Sequence, residues 1–178
     1  MKDVHKEVIG YYIKLAQKLS KKKRVYFERK EDTVYFSDGC FVCSFSVERV
    51  EEFLTLCATF TLPTSGDFIA EYNNGNIFHS DTSIKNAIAF EAMEENNLMF
   101  TGVSCYENKL NIDVFADSKN VYFYNAQYIK PLKDKGLYLN AVNKNGYMWA
   151  VYNVLDVCCV VLPCRTCESL AKVAKLMK

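Results

Sequence analysis

The chain has 178 residues and a formal net charge of +1, and half of its residues are apolar. That is enough for one large domain or two small ones with a real core, and too apolar for a disordered chain. No apolar run approaches the roughly 20 residues that span a bilayer as a helix, and the Lys-rich N-terminus lacks the apolar core of a signal peptide. A cytoplasmic protein with no membrane contact is therefore expected.

The near-zero charge hides an uneven distribution. Residues 1–24 carry eight Lys or Arg against two acids, residues 25–120 six against sixteen, and residues 121–178 eight against three. Such asymmetry bears on partners rather than on fold. Six of the eight cysteines (Cys40, Cys43, Cys57, Cys105, Cys158 and Cys159) sit in apolar, strand-like surroundings, where a reduced thiol behaves as a small hydrophobe. Buried thiols, and no disulfide framework, are the expectation.

In chain order, residues 3–20 predict an amphipathic helix, with Val4, Val8, Tyr12, Leu15 and Leu19 on one stripe and lysines opposite. Strands follow at 24–29, 33–36 and 40–46. Ser46 is placed to cap a helix from Val47 to about Ala58, and residues 59–66, with Pro63 and Gly66, form the best boundary. Residues 68–72 and 76–79 make a hairpin across Asn73-Asn74-Gly75. Asp81 is placed to cap a helix reaching Glu95. Strands at 98–106, 110–115 and 121–124 come next. Asn125 is positioned as the N-cap of a short helix that Pro131 should end or kink. Residues 137–142 and 147–152 are strands joined through Asn145-Gly146, a strong hairpin signal because both residues tolerate positive φ. A fully apolar strand at 157–162 precedes a last helix, capped by Thr166, with Leu170, Val173, Ala174 and Met177 on one face.

A helix followed by three strands thus occurs three times, as a repetition of pattern without repetition of sequence. Such units give an α+β fold, an antiparallel sheet or sheets with helices on one face. This pattern, together with particular residues, resembles the DNA sliding clamps, the ring-shaped processivity factors built from β-α-β-β-β units. Val121-Tyr-Phe-Tyr-Asn125 with Tyr128 is similar to the strand and helix start of a bacterial clamp's last unit. Cys159-Val-Val-Leu-Pro-Cys-Arg165 is similar to its terminal strand, and Leu98 to Asp117 to its strand pair ending in Ala-x-Asp. Clamp subunits have two or three domains, residues 47–80 have no counterpart in the pattern, and a C-terminal helix continues past Arg165. The resemblance therefore implies clamp-like units put to another purpose. On this basis residues 1–60 form a helix-plus-three-strand unit with a second helix, and 61–178 a clamp-like α+β region with the extra C-terminal helix.

Three constellations carry chemistry on paper. Cys164-Arg-Thr-Cys167 follows an apolar strand and opens a helix, the context of a thiol redox pair, since a helix N-terminus and a neighbouring Arg lower a thiol's pKa. Structural cysteines are the preferred reading. Cys40 and Cys43 share the same spacing, but positions i and i+3 on a strand point to opposite faces, so a zinc site built from both pairs is not expected. His5 and His79, the only histidines, read as surface residues. No glycine-rich phosphate loop, Ser nucleophile elbow or His-rich metal helix is present, so neither an enzyme nor a cofactor is expected. Lys21-Lys22-Lys23-Arg24, followed by Tyr26 and Phe27, is the strongest charge run. Basic residues release counterions from a phosphate backbone, whereas the plainer role is to complement a helix C-terminus. The expected function is a non-enzymatic, clamp-like binding module in DNA metabolism, an accessory protein of a mobile element or phage. It would hold a protein partner, touch nucleic acid through Lys21, Lys22, Lys23 and Arg24, and be open to homo-oligomerisation. The alternatives are a protein-interaction module that inhibits a host nucleic-acid enzyme without DNA contact, and a thiol oxidoreductase using Cys164 and Cys167.

Overall fold

The computed structural model describes residues 4–50, 66–85, 96–154 and 157–177. The fold is α+β, with antiparallel pairing at each strand contact described below. The chain forms two compact units, Met1–Phe90 with Asn153–Cys159, and Glu91–Tyr152 with Val160–Lys178. No described helix is long and apolar enough to cross a membrane.

The first unit opens with α1 (Val4–Ser20), whose Val8, Tyr12, Leu15 and Leu19 are buried as the periodicity requires, while Val4, in the first turn, is exposed. Strands β1 (Val25–Lys30), β2 (Thr33–Ser37), β3 (Phe41–Ser46), β4 (Phe68–Asn73) and β5 (Asn76–His79) follow, side by side in the order β5-β4-β1-β2-β3. Aromatic rings fill the core. Tyr12 stacks on Phe41 with centroids 5.3 Å apart, and Phe27 meets Phe36 and Tyr72 edge-on at 4.7 and 5.1 Å. The β4–β5 turn uses Asn74 and Gly75, both at positive φ, as a tight hairpin demands. Residues 47–50 begin the helix expected after Ser46, and its continuation lies outside the described residues. So do Cys57 and most of the helix expected to reach Glu95.

Just before that stretch the chain is tied back to β1. Asp81 is exposed, and the backbone N–H groups of Ile84 and Lys85 donate instead to one oxygen of Glu28, at 2.6 and 2.8 Å. Ser83 Oγ donates to the other oxygen at 3.1 Å. Glu28, on β1, is only 4% exposed. A buried carboxylate is tolerated where it accepts hydrogen bonds from oriented donors, and here it receives three.

The second unit holds β6 (Asn97–Glu107), β7 (Leu110–Ala116), β8 (Val121–Asn125), α2 (Ala126–Asp134), β9 (Leu139–Lys144) and β10 (Tyr147–Val154), with strand order β10-β9-β6-β7-β8. Along the chain, β11 (Val157–Val161) and α3 (Glu168–Leu176) come last. The run β8-α2-β9-β10-β11 keeps the β-α-β-β-β element order. Asn125 caps α2 as expected, its side chain accepting from the Gln127 N–H at 3.0 Å. Pro131, expected to end or kink the helix, lies inside it and is buried beside Ile129 and Leu132. One missing hydrogen bond is offset by that packing. The helix ends three residues later at Asp134, and beyond it Gly136 takes φ +61 and donates to Lys133 O, while Leu137 donates to Leu132 O. This pair of bonds is the Schellman arrangement. It consumes Leu137, so β9 begins at Leu139 and not at Leu137.

The two helices of this unit use the two-residue period of β7 to opposite effect. α2 packs on β7 and β8, with Lys133 reaching Asp113. The additional C-terminal helix, α3, takes the other face, where Leu170 joins Ile112, Val114 and Phe123 in a small core edged by Val173, Ala174 and Met177. Its cap residue is Cys167, one position later than Thr166.

Candidate binding surface

β6 and β7 form a hairpin whose strands differ in how they are covered. Their two-residue turn, Asn108-Lys109, holds both residues at positive φ. Within the pair, the register shifts between Phe100 and Ser104, and Gly102 sits there at φ +82. This is a β-bulge, which bends a strand and re-aims its side chains. Thr101 pins it, its hydroxyl donating to Val114 O at 2.8 Å. On its other side β6 pairs with β9 only at Asn97 and Leu98. From Met99 to Glu107 no other strand, among the described residues, pairs with that outer edge.

The bulge is fastened from below by a charged trio. Asp113, 1% exposed, accepts from Ser104 Oγ at 2.6 Å and pairs with Lys133 Nζ at 2.5 Å. The Lys133 ammonium also stands 4.4 Å from the centroid of Phe100, a cation–π contact, and Phe100 packs against Phe115 at 5.4 Å. The carboxylate charge is thus met by an ammonium and a hydroxyl, and the trio locks α2 to the bulged strand.

Above it lies a cleft of about 500 Å³, walled by Met99, Phe100 and Ala116 and rimmed by Asn97, Thr101 and Asp117. Asp117 Oδ1 accepts the N–H groups of Lys119 and Asn120, both at 2.7 Å, and Oδ2 accepts the Tyr122 hydroxyl at 2.7 Å. Burial pushes its pKa up, but these hydrogen bonds outweigh that and hold the carboxyl below its usual range. In return, burial and the Asp117 hydrogen bond push Tyr122 up to about 12. Around the cleft and along the hairpin, large apolar side chains face water: Met99 is 71% exposed, Tyr106 68%, Leu110 41% and Val103 39%. By the register Met99 and Leu110 share one face of the hairpin and Tyr106 the other, so exposed apolar side chains flank the open edge on both faces.

The basic run Lys21–Arg24 forms the turn after α1, with the N–H groups of Lys22 and Lys23 donating to Leu19 O. It does not present four equivalent cations. Lys23 pairs with Asp38 on the β2–β3 turn, and Arg24 Nε pairs with Glu71 on β4 at 3.0 Å. Lys21 and Lys22 are exposed and make no ion pair among the described residues.

The thiols divide by environment. Burial pushes Cys43 and Cys159 well above the ordinary thiol value, and Cys158 up to about 11. Such thiols stay protonated and inert. Cys40 is exposed, against the expectation of burial, because it sits in the turn before β3 and not in the strand. Cys164 and Cys167 are half-buried against the core under α3, together with Cys105. The Cys164 N–H donates to Phe123 O at 2.8 Å, and Cys167 is a free thiol with its sulfur 3.0 Å from Ser169 Oγ. Cys40 and Cys43 lie in the first unit, Cys164 and Cys167 in the second. His79 is exposed on β5 and His5 half-buried on α1.

Three features escaped the sequence reading: the Glu28 tie, the Asp113–Lys133–Ser104 trio and the open edge of β6. An acid inside the apolar run Ile112-Asp113-Val114-Phe115 was the available signal for the second. No protein-family model matches the chain, and no curated protein matches it.

Proposed function

We propose that this protein is a non-enzymatic binding module of DNA metabolism, working in the cytoplasm, that holds another protein on the β6–β7 hairpin of its second unit. The observation that carries the reading is the set of exposed apolar side chains along the hairpin, Met99 at the cleft and Val103, Tyr106 and Leu110 beyond it. Apolar area of this kind is withdrawn from water on binding, and large side chains at a patch centre dominate binding energy. The link to DNA metabolism rests on the clamp-like element order β8-α2-β9-β10-β11 and the residues that resemble clamps. A weaker contact with a phosphate backbone through Lys21 and Lys22 fits their exposure, while Lys23 and Arg24 already meet acids.

Photo-crosslinking tests the docking surface. A benzoylphenylalanine at Val103 or Tyr106 should capture the same partner from native extract, and one at Lys14 on α1 should not. Purified wild-type protein should compete the product away, and the Val103→Asp/Tyr106→Asp variant should fail to compete. Equal capture from Lys14, or equal competition by the variant, would refute the reading. For the phosphate contact, fluorescence anisotropy on duplex DNA near about 0.1 M salt should show weak binding that Lys21→Ala/Lys22→Ala reduces across all sequences. Sequence-selective loss would contradict it.

A further inference from the structure

The strand edges of this molecule are guarded unequally. The outer edge of β8 is covered by the chain after β11, where Pro163 bridges to Tyr124 and the Cys164 N–H donates to Phe123 O. Proline and a covering segment are common ways to close an edge. β5 has only four residues, too short to template much. β6 has eleven residues, and among the described residues its outer edge from Met99 to Glu107 has neither device.

Such an edge presents a row of backbone donors and acceptors, which only another extended backbone can meet in full. Its side chains are suited to that neighbour. By the register that pairs Leu98 with Leu139, Tyr138 stands level with Met99 where β9 departs, and it is 87% exposed. Tyr138, Met99, Val103 and Tyr106 thus run along the open edge, about 20–23 Å at the usual rise per strand residue. The bulge at Gly102 bends this edge, which disfavours indiscriminate pairing and restricts addition to a segment that follows the bend.

Charge selects among occupants. Among the described residues, the cleft beside Met99 to Thr101 is lined by one carboxylate, Asp117, and by no cationic side chain. A Lys or Arg at that end of an added segment meets an acid there and no opposing cation. We propose that the open edge of β6 takes up an extended, cation-bearing segment of another protein as an added β-strand, with the cation facing Asp117. This rests on the reading of the β6–β7 hairpin as a protein-docking surface and specifies its partner.

The test begins with display selection of randomised peptides of about ten residues, the length of a long strand. Binders to the full chain are kept, and those that also bind Val103→Asp/Tyr106→Asp are discarded. The tightest survivor is resynthesised with a single N-methyl group at each amide in turn, and each peptide is titrated by anisotropy. Strand addition predicts alternation: methylation of every second amide weakens binding about tenfold, and the amides between are neutral. Selected peptides should carry Lys or Arg near one end, and Asp117→Asn should weaken them about threefold, as expected of a partly exposed ion pair. A helical or absent methylation pattern, acid-rich binders or a failure to select any peptide would overturn the proposal. So would sedimentation showing a dimer that Val103→Asp dissolves. If the Val103 crosslink captures its partner while alternation is missing, strand addition alone fails. If both are missing, the docking surface falls with it.

Discussion

Glu28 is the residue whose replacement most directly tests how the first unit is held together. Its carboxylate accepts the N–H groups of Ile84 and Lys85 and the hydroxyl of Ser83, bridging β1 to a segment more than fifty residues later. In Glu28→Ala these donors lose their acceptor. Ile84 is 3% exposed, so water replaces the lost bond poorly there, whereas Lys85 is exposed and can be rehydrated. One stranded buried donor costs about 1–3 kcal/mol, and loss of the charge-assisted bonds adds to it. Relief from burying a carboxylate offsets part of this, leaving about 3 kcal/mol of destabilisation. Glu28→Gln keeps one acceptor oxygen without the charge and should cost about 1 kcal/mol. Urea unfolding followed by far-UV circular dichroism reads both as shifts in midpoint at constant slope. An alanine variant within about 0.5 kcal/mol of wild type, the usual range of a neutral surface change, would refute the reasoning. So would a glutamine variant as damaged as the alanine one.

Five further outcomes are expected. Val160 is fully buried in β11, so Val160→Asp should abolish the cooperative thermal transition, and a soluble variant of unchanged melting temperature would contradict its placement. Cys164→Ser/Cys167→Ser should keep the fold, and wild type should show no insulin-disulfide reduction that the double variant lacks. Asp117 has a lowered pKa, so its stabilising contribution is present above the unfolded value of 3.8 and lost as pH falls through the folded one. Asp117→Asn should flatten the acid limb of stability against pH. Tyr122 is the reverse, contributing below pH 10 and losing that contribution as pH rises towards about 12, so Tyr122→Phe should flatten the alkaline limb. Lys109 holds φ +65 in the β6–β7 turn, a region that disfavours residues with a Cβ, so Lys109→Gly should raise stability by about 0.5–1 kcal/mol in urea unfolding.

What was legible in the sequence was local. Asn125 as a cap, Asn74-Gly75 and Asn145-Gly146 as turns, and the stripes of α1 and α3 each depend on residues within a few positions of one another, and each stands where expected. What was not legible joins distant residues. Glu28 looks like any acid in a strand until the chain returns at Ile84, and Lys133 looks like a solvated helix lysine until Asp113 is found beneath it. Pro131 does not end α2, because the burial that offsets its lost hydrogen bond depends on residues brought together only by the fold. The open edge of β6 is harder still to foresee. It arises because β9 leaves after two residue pairs, and that departure is fixed by the way Gly136 and Leu137 finish α2.

The charge asymmetry of the sequence invites a picture of basic ends and an acidic middle, but the first unit does not keep them apart. Lys23 from the basic block meets Asp38 from the acidic stretch, and Arg24 meets Glu71. The Arg24–Glu71 pair is largely exposed and contributes little to stability, whereas Lys23 meets an acid whose side chain is out of contact with water. Their effect is on what the turn can offer a phosphate backbone. A lysine that must leave an acid to bind DNA exchanges one anion for another, and the net counterion release shrinks accordingly. Of the four cations in the turn, Lys21 and Lys22 remain for full release. At about 0.9 per contact on a duplex, they account for a slope of about 1.8 in log affinity against log salt, half of what four equivalent cations would give. From 50 to 200 mM salt that slope amounts to about a tenfold loss of affinity, against more than a hundredfold for four. A DNA contact of this strength suits an auxiliary tether, and the greater part of partner selection then falls to the apolar surface along β6.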